Sequence, residues 1–200
     1  MRRDVLSALE RRFAKARNGL VETYPDQIWI PDNAAALAAV ALGAKCDHRD
    51  VPAAQWLAKW PRDPKTGLLQ FVPGSGPRAS GNGFNSVYLA YVDAAVAKQQ
   101  FEAAQRTFGF SLPGLAAWRE YPTGVKGKGD IDSGPLIFGL SPSGTGFGLA
   151  GASLHDGPRA SMLRTAEAAG FTVPWGGPHY LLSPLVGEAS VLAARTMPRS

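Results

Sequence analysis

Apolar positions along the chain alternate between segments with one hydrophobic face and segments hydrophobic on nearly every side. Residues 4–17 set Val5, Leu6, Leu9, Phe13 and Ala16 against a charged face, which predicts an amphipathic outer helix stopped at Asn18-Gly19. Asp32 then precedes Asn33-Ala34-Ala35-Ala36-Leu37-Ala38-Ala39-Val40, a run apolar all round that predicts an interior helix. Residues 51–60 predict a short amphipathic helix carrying Trp56, Leu57 and Trp60. The turn Asp63-Pro64-Lys65-Thr66-Gly67 leads to a short strand at 68–72. Out of the Gly-, Ser- and Pro-rich loop 73–83 rises a second inner helix, with Val87, Tyr88, Tyr91, Val92 and Ala95 at helical spacing. Residues 98–108 are its amphipathic partner, using Phe101, Ala104 and Phe108. Residues 134–154 carry no charge. With Pro142, several glycines and four hydroxyl residues they predict a buried helix pair broken near Ser141-Pro142, not a membrane span. An amphipathic helix at 159–169 and a mostly apolar one at 185–196 complete the pattern.

The pattern predicts a mainly α domain over residues 1–200, built from helical hairpins with at most a short β-hairpin. Each inner helix has a more polar partner and a long glycine-rich loop leading into it. Glu22-Thr23-Tyr24-Pro25 precedes Asp32 and an inner helix, and Glu120-Tyr121-Pro122 precedes Asp130, Asp132 and another. A period of two hairpins is what an α/α-toroid, here a partial or open ring, would produce.

Composition and charge narrow the function classes. The net charge of +5 comes largely from Arg2, Arg3, Arg11, Arg12, Lys15 and Arg17 on the first helix. No basic stripe interleaved with aromatics follows, so a solvated helix face is favoured over nucleic-acid binding. The single cysteine, Cys46, excludes an intrachain disulfide and reads as a buried filler at the end of an apolar helix. His48, His155 and His179 lack metal-ligand spacing, so no metal and no cofactor are expected. The charged start runs into Glu10-Arg11-Arg12 rather than an apolar stretch, which predicts a soluble, cytoplasmic protein without a signal peptide.

Candidate chemistry follows from the topology. In a helical toroid the inner helices start at one mouth of the ring, so their leading loops share a pocket. Asp32, Asp130 and Asp132 are the candidates for proton transfer. General acid/base chemistry needs one carboxyl group protonated while another stays ionised, and Arg119 or Lys128 could separate the values of Asp130 and Asp132. Tyr24, Trp29, Asn33, Asn82, Arg119, Tyr121, His179 and Glu188 are the candidates for substrate binding, the aromatics as flat surfaces for a sugar ring. Arg78, Ser80, Asn85, Glu120 and Ser133 fall in the same loops. The plain alternative is capping: Asp32 in front of its helix, and Asp132 or Ser133 in front of a helix starting at Gly134-Pro135.

Tyr24-Pro25-Asp26-Gln27-Ile28-Trp29-Ile30-Pro31-Asp32-Asn33 and Gly129-Asp130-Ile131-Asp132-Ser133-Gly134-Pro135 resemble bacterial proteins of the α/α-toroid group. That group includes glycosidase-like six-hairpin enzymes and the linalool dehydratase/isomerase-like domain. The resemblance implies a substrate at the mouth of the ring and acidic residues as proton carriers. The linalool dehydratase type also uses pocket cysteines, and Cys46 lies outside the candidate loops, so that terpene chemistry is not supported. The chain also has fewer hairpins than a closed ring. It is then the C-terminal part of a larger ring, an open arc, or half of a ring completed by another copy or a partner subunit.

The expectation is therefore an enzyme, hydrolase or lyase, acting on a carbohydrate-like small molecule. The rivals are a non-catalytic scaffold that docks a partner and a helical pocket for a terpenoid or lipid. If Asp32 and Asp130/Asp132 line one cleft the enzyme gains; if each bonds the amides of its own helix the scaffold gains.

Overall fold

The computed structural model describes residues 2–169, 171–173 and 177–179. It is mainly helical. The order is α1 (Arg2–Lys15), α2 (Ile30–Cys46), α3 (Ala53–Leu57), α4 (Ala79–Tyr88), a 3₁₀ turn (Leu89–Tyr91) and α5 (Ala94–Phe108). Strands β1 (Gly109–Leu112) and β2 (Leu115–Trp118) follow, then α6 (Pro142–Leu154), α7 (Arg159–Ala169), β3 (Phe171–Val173) and β4 (Gly177–His179). The strands form two separate antiparallel pairs, β1 with β2 and β3 with β4. Among the described residues no helix is long and apolar enough to cross a membrane. The apolar helix expected at 185–196, with Glu188, lies outside the described residues.

The alternation of apolar and amphipathic segments becomes an inner and an outer layer. Helices α2, α4 and α6 sit in a row, α4 packing on both of the others. Each has a more polar neighbour: α1 on α2, α5 on α4 and α7 on α6. One apolar cluster gathers Phe13, Ile30, Leu37, Trp56 and Leu57, with Trp56 stacked on Phe13 at a ring separation of 5.8 Å. A second gathers Phe101, Phe108, Trp118, Leu149 and Met162 under α5, α6 and α7. Side chains as large as Trp118 are fully buried there, each contributing on the order of 1.5–3 kcal/mol.

Helix α4 departs from expectation by starting at Ala79, inside the stretch expected to be loop. Ala79-Ser80-Gly81-Asn82-Gly83 is a poor helix former, each glycine costing about 1 kcal/mol relative to alanine. Packing overrides propensity here, because the small residues let α4 and α6 approach closely. A Cβ on Gly83 would lie 2.8 Å from the Cβ of Phe147 and 3.0 Å from the backbone nitrogen of Gly148.

Three further expectations are corrected. No helix begins at Gly134-Pro135: residues 134–140 are a loop in which Ile137 bridges Leu140, and α6 begins only at Pro142, capped by Ser141 Oγ. The residues expected as a strand at 68–72 make only a single bridge, Leu69 to Arg62. Cys46 is exposed rather than buried: it is the last residue of α2 and lies with Lys45 on the solvent side of a turn whose buried residues are Gly43 and Ala44.

Candidate functional site

The first turns of α2, α4 and α6 meet at one cavity. Pro31 and Asp32 come from α2, Ser80 and Gly81 from α4, and Ser143 with Phe147 from α6. Trp29, Phe71, Phe84, Ile131 and Asp132 complete walls around about 200 Å³ of free space. The aromatic side chains brace one another in pairs. Trp29 meets Phe71 edge-on at 5.1 Å, and Phe84 meets Phe147 edge-on at 5.1 Å.

Arg78, immediately before α4, organises the charges behind this cavity. Its Nε–H donates to Glu120 Oε1 at 2.7 Å, and its two terminal nitrogens donate to Asp130 at 2.7 and 2.9 Å. The guanidinium also lies 4.4 Å over the Phe71 ring and 5.5 Å from that of Tyr121. Burial opposes its charge, but the bonds to Asp130 and Glu120 outweigh that and raise its pKa. Glu120 is fully buried and does a second job: its carboxylate accepts from the Ser80 amide at 3.2 Å and from Ser80 Oγ at 2.7 Å. Helix α4 has no cap from its own flank, so a side chain from a distant loop satisfies its first turn.

Asp130 is held by the same guanidinium. The bidentate bond to Arg78 draws its pKa down to about 2, and the Ser133 amide adds to this against some desolvation. Its Oδ1 also accepts from the amides of Asp132 and Ser133, closing a turn. Ser133 O accepts from Ser141 Oγ at 3.1 Å, pinning that turn to the start of α6. The expectation that Arg119 or Lys128 would separate Asp130 from Asp132 is corrected, since Arg78 does so. Arg119 lies instead over the Phe110 ring at 4.7 Å.

Asp32 and Asp132 behave in the opposite way. Desolvation raises the pKa of Asp32 above its ordinary 3.8. Desolvation also raises that of Asp132, the charges of Asp130, Asp32 and Glu120 push it further, and Arg78 only partly opposes them. Hydrogen bonds contribute to neither shift. Asp32 is not the helix cap: α2 starts at Ile30, Trp29 occupies the cap position without a side-chain bond, and Asp32 falls inside the first turn. Asp132 caps nothing either, because no helix follows it directly.

No protein-family model matches the chain, and no curated protein matches it. The chemistry of the site therefore rests on its own geometry.

Of the sequence candidates, Trp29, Asp32 and Asp132 line the cavity, with Asp130 and Tyr121 behind it around Arg78. Tyr121 Oη donates to the Lys128 carbonyl at 2.9 Å. The others lie elsewhere. Tyr24 is exposed in a separate surface depression with Arg12 and Glu22. Asn33 is fully buried and clasps the loop ahead of α2: Oδ1 accepts from the Val21 amide at 2.7 Å, and Nδ2 donates to the carbonyls of Val21 and Trp29. Asn82 is buried too, donating to the carbonyls of Leu69 and Arg78. His179 ends β4, and Glu188 lies outside the described residues. Phe71 falls in the expected strand, Phe84 where the loop gives way to an expected inner helix, and Phe147 in an expected buried helix, so nothing marks them as site residues.

Proposed function

We propose that the cavity at the starts of α2, α4 and α6 is an acid/base site, hydrolase or lyase in type, for a carbohydrate-like substrate. The observation that carries this reading is the pairing of Asp32 with Asp132. They line one cavity and both carry raised pKa values, with the charge of Asp32 adding to the rise at Asp132, while neighbouring Asp130 is held ionised. Asp132 takes the part of proton donor, since three neighbouring carboxylates favour its protonated form. Asp32, raised by desolvation alone, is the base. Ser143 offers a hydroxyl to a hydroxylated ring, and Trp29 with Phe71 offers it an apolar surface.

The row α2–α4–α6, each helix with its outer partner, supports reading the chain as an arc of an α/α-toroid. The scaffold alternative draws its strength from capping, and neither Asp32 nor Asp132 serves as a cap. The terpenoid or lipid alternative calls for a cavity with few carboxylates, and two here count against it.

The test is turnover of neutral oligosaccharides by the wild type and by Asp132→Asn. The expected loss is about 10²–10⁴-fold with the fold intact, the usual contribution of a positioned general acid. Undiminished turnover in the variant would remove Asp132 from the mechanism, and saturable binding by no saccharide would remove the substrate class.

A further inference from the structure

A second cavity abuts the first, and Trp29 is common to both walls. It offers about 440 Å³ of free space between the loop Asp26-Gln27-Ile28-Trp29 and Val72-Pro73. Phe71, next in the chain to Val72, lines the inner cavity. The same two segments thus build both spaces.

Trp29 is fixed where they meet. Its indole N–H donates to Gln27 Oε1 at 2.9 Å, its amide donates to Thr23 Oγ1 at 3.1 Å, and its carbonyl accepts from buried Asn33. Phe71 holds the ring edge-on. An aromatic plate locked in this way loses little freedom on meeting a ligand. The charge is equally one-sided. Asp32 and Asp132 line the inner space and Asp26 the outer, and among the described residues no Lys, Arg or His lines either. A uronic acid or phosphorylated sugar would meet carboxylates with no cation to pair with, so the two spaces select against anions. Size points the same way: the inner 200 Å³ falls below the roughly 300–1,000 Å³ typical of ligand pockets, so a longer ligand would extend beyond it.

We infer that the site takes a neutral saccharide of at least two rings, one in the inner cavity beside Asp32 and Asp132 and the next across Trp29 in the outer cavity. This rests on the acid/base reading above and adds the length and charge of the substrate to it.

Calorimetric titration of the wild type with glucose, mannose, cellobiose, maltose, lactose and glucuronic acid tests it. At least one neutral disaccharide is expected to bind about tenfold or more tightly than either monosaccharide, and glucuronic acid to bind no better than glucose. Pro73→Arg, a bulky change at an exposed position, should bring the disaccharide down to the monosaccharide level without altering monosaccharide affinity. Equal affinity for one and two rings, preference for glucuronic acid, or an equal loss for both lengths in Pro73→Arg would overturn the inference. If glucose or mannose binds and Asp132→Asn alters that binding while disaccharides gain nothing, the two-ring extension alone fails. If no neutral sugar binds, the carbohydrate reading fails and the extension with it.

Discussion

Two groups of carboxylates lie side by side in this protein, and the same side-chain chemistry has opposite consequences in each. Glu120 and Asp130 are saturated with donors: a guanidinium between them, a helix-start amide and a hydroxyl on one, and turn amides on the other. Asp32 and Asp132 line a cavity with aromatic walls and remain exposed to solvent, with no hydrogen bond contributing to their shifts. The first pair holds three segments together. The second bears the cost of desolvation, the usual mark of groups kept for proton chemistry rather than stability. What separates the pairs is the position of one arginine.

The largest break in this comparison should come from the saturated side. Glu120→Ala leaves Arg78 half-paired and the α4 start without its acceptor, and removing one partner of a buried pair costs about 3–5 kcal/mol. Urea unfolding measures this, and a loss under about 1 kcal/mol would mean that the cluster is not structural. Arg78→Lys is a milder version. It keeps the charge but loses the fork that reaches two carboxylates, for an expected loss of about 1–3 kcal/mol by the same measurement.

The smallest effect is the most discriminating, because its sign differs between the two pairs. Asp132 has a folded pKa above 3.8, so the folded state holds its proton more tightly than the unfolded chain does. The stability linked to that proton is present below 3.8 and is lost as pH rises through the folded value. Asp130 runs the other way: its contribution is present above 3.8 and is lost as pH falls through about 2. Relative to wild type, Asp132→Asn should gain stability as pH rises from 3.8 through the folded Asp132 value, whereas Asp130→Asn should lose it as pH rises from about 2 to 3.8. Asp130 keeps 41% of its side chain exposed, so solvent screening holds these differences to about 1 kcal/mol or less. Melting temperatures of the two variants across the acid range give the signs, and a common sign would merge the two groups into one.

Much of the fold was legible in the sequence because hydrophobic periodicity reports burial directly. The all-round apolar run at α2 and the one-faced segment at α7 both appear where the pattern puts them. Where tertiary contacts outweigh local preference, the sequence is silent. Ala79-Ser80-Gly81-Asn82-Gly83 reads as loop, yet becomes the first half of α4 against α6. Residues 134–140 read as helix because they lack charge, but Gly134 and Gly139 take positive φ and the chain turns back on itself. The site was legible in part for the same reason. Asp32 and Trp29 stand out beside the start of α2, and Asp132 in a loop that leads toward α6, whereas the role of Arg78 depends on partners 42 and 52 residues away. No spacing rule links those positions.

Asp32 and Asp132, exposed at one cavity yet raised in pKa by partial desolvation, with the charge of Asp32 adding to the rise at Asp132, stand apart from Asp130. Carbon-detected NMR titration of the aspartate carboxyl groups tests this separation most directly, in the wild type and in Asp32→Asn. The expected result is midpoints above 3.8 for Asp32 and Asp132, a midpoint near 2 for Asp130, and a fall in the Asp132 midpoint when Asp32 is neutralised. Midpoints for Asp32 and Asp132 at or below 3.8, with Asp132 indifferent to the Asp32 substitution, would contradict it.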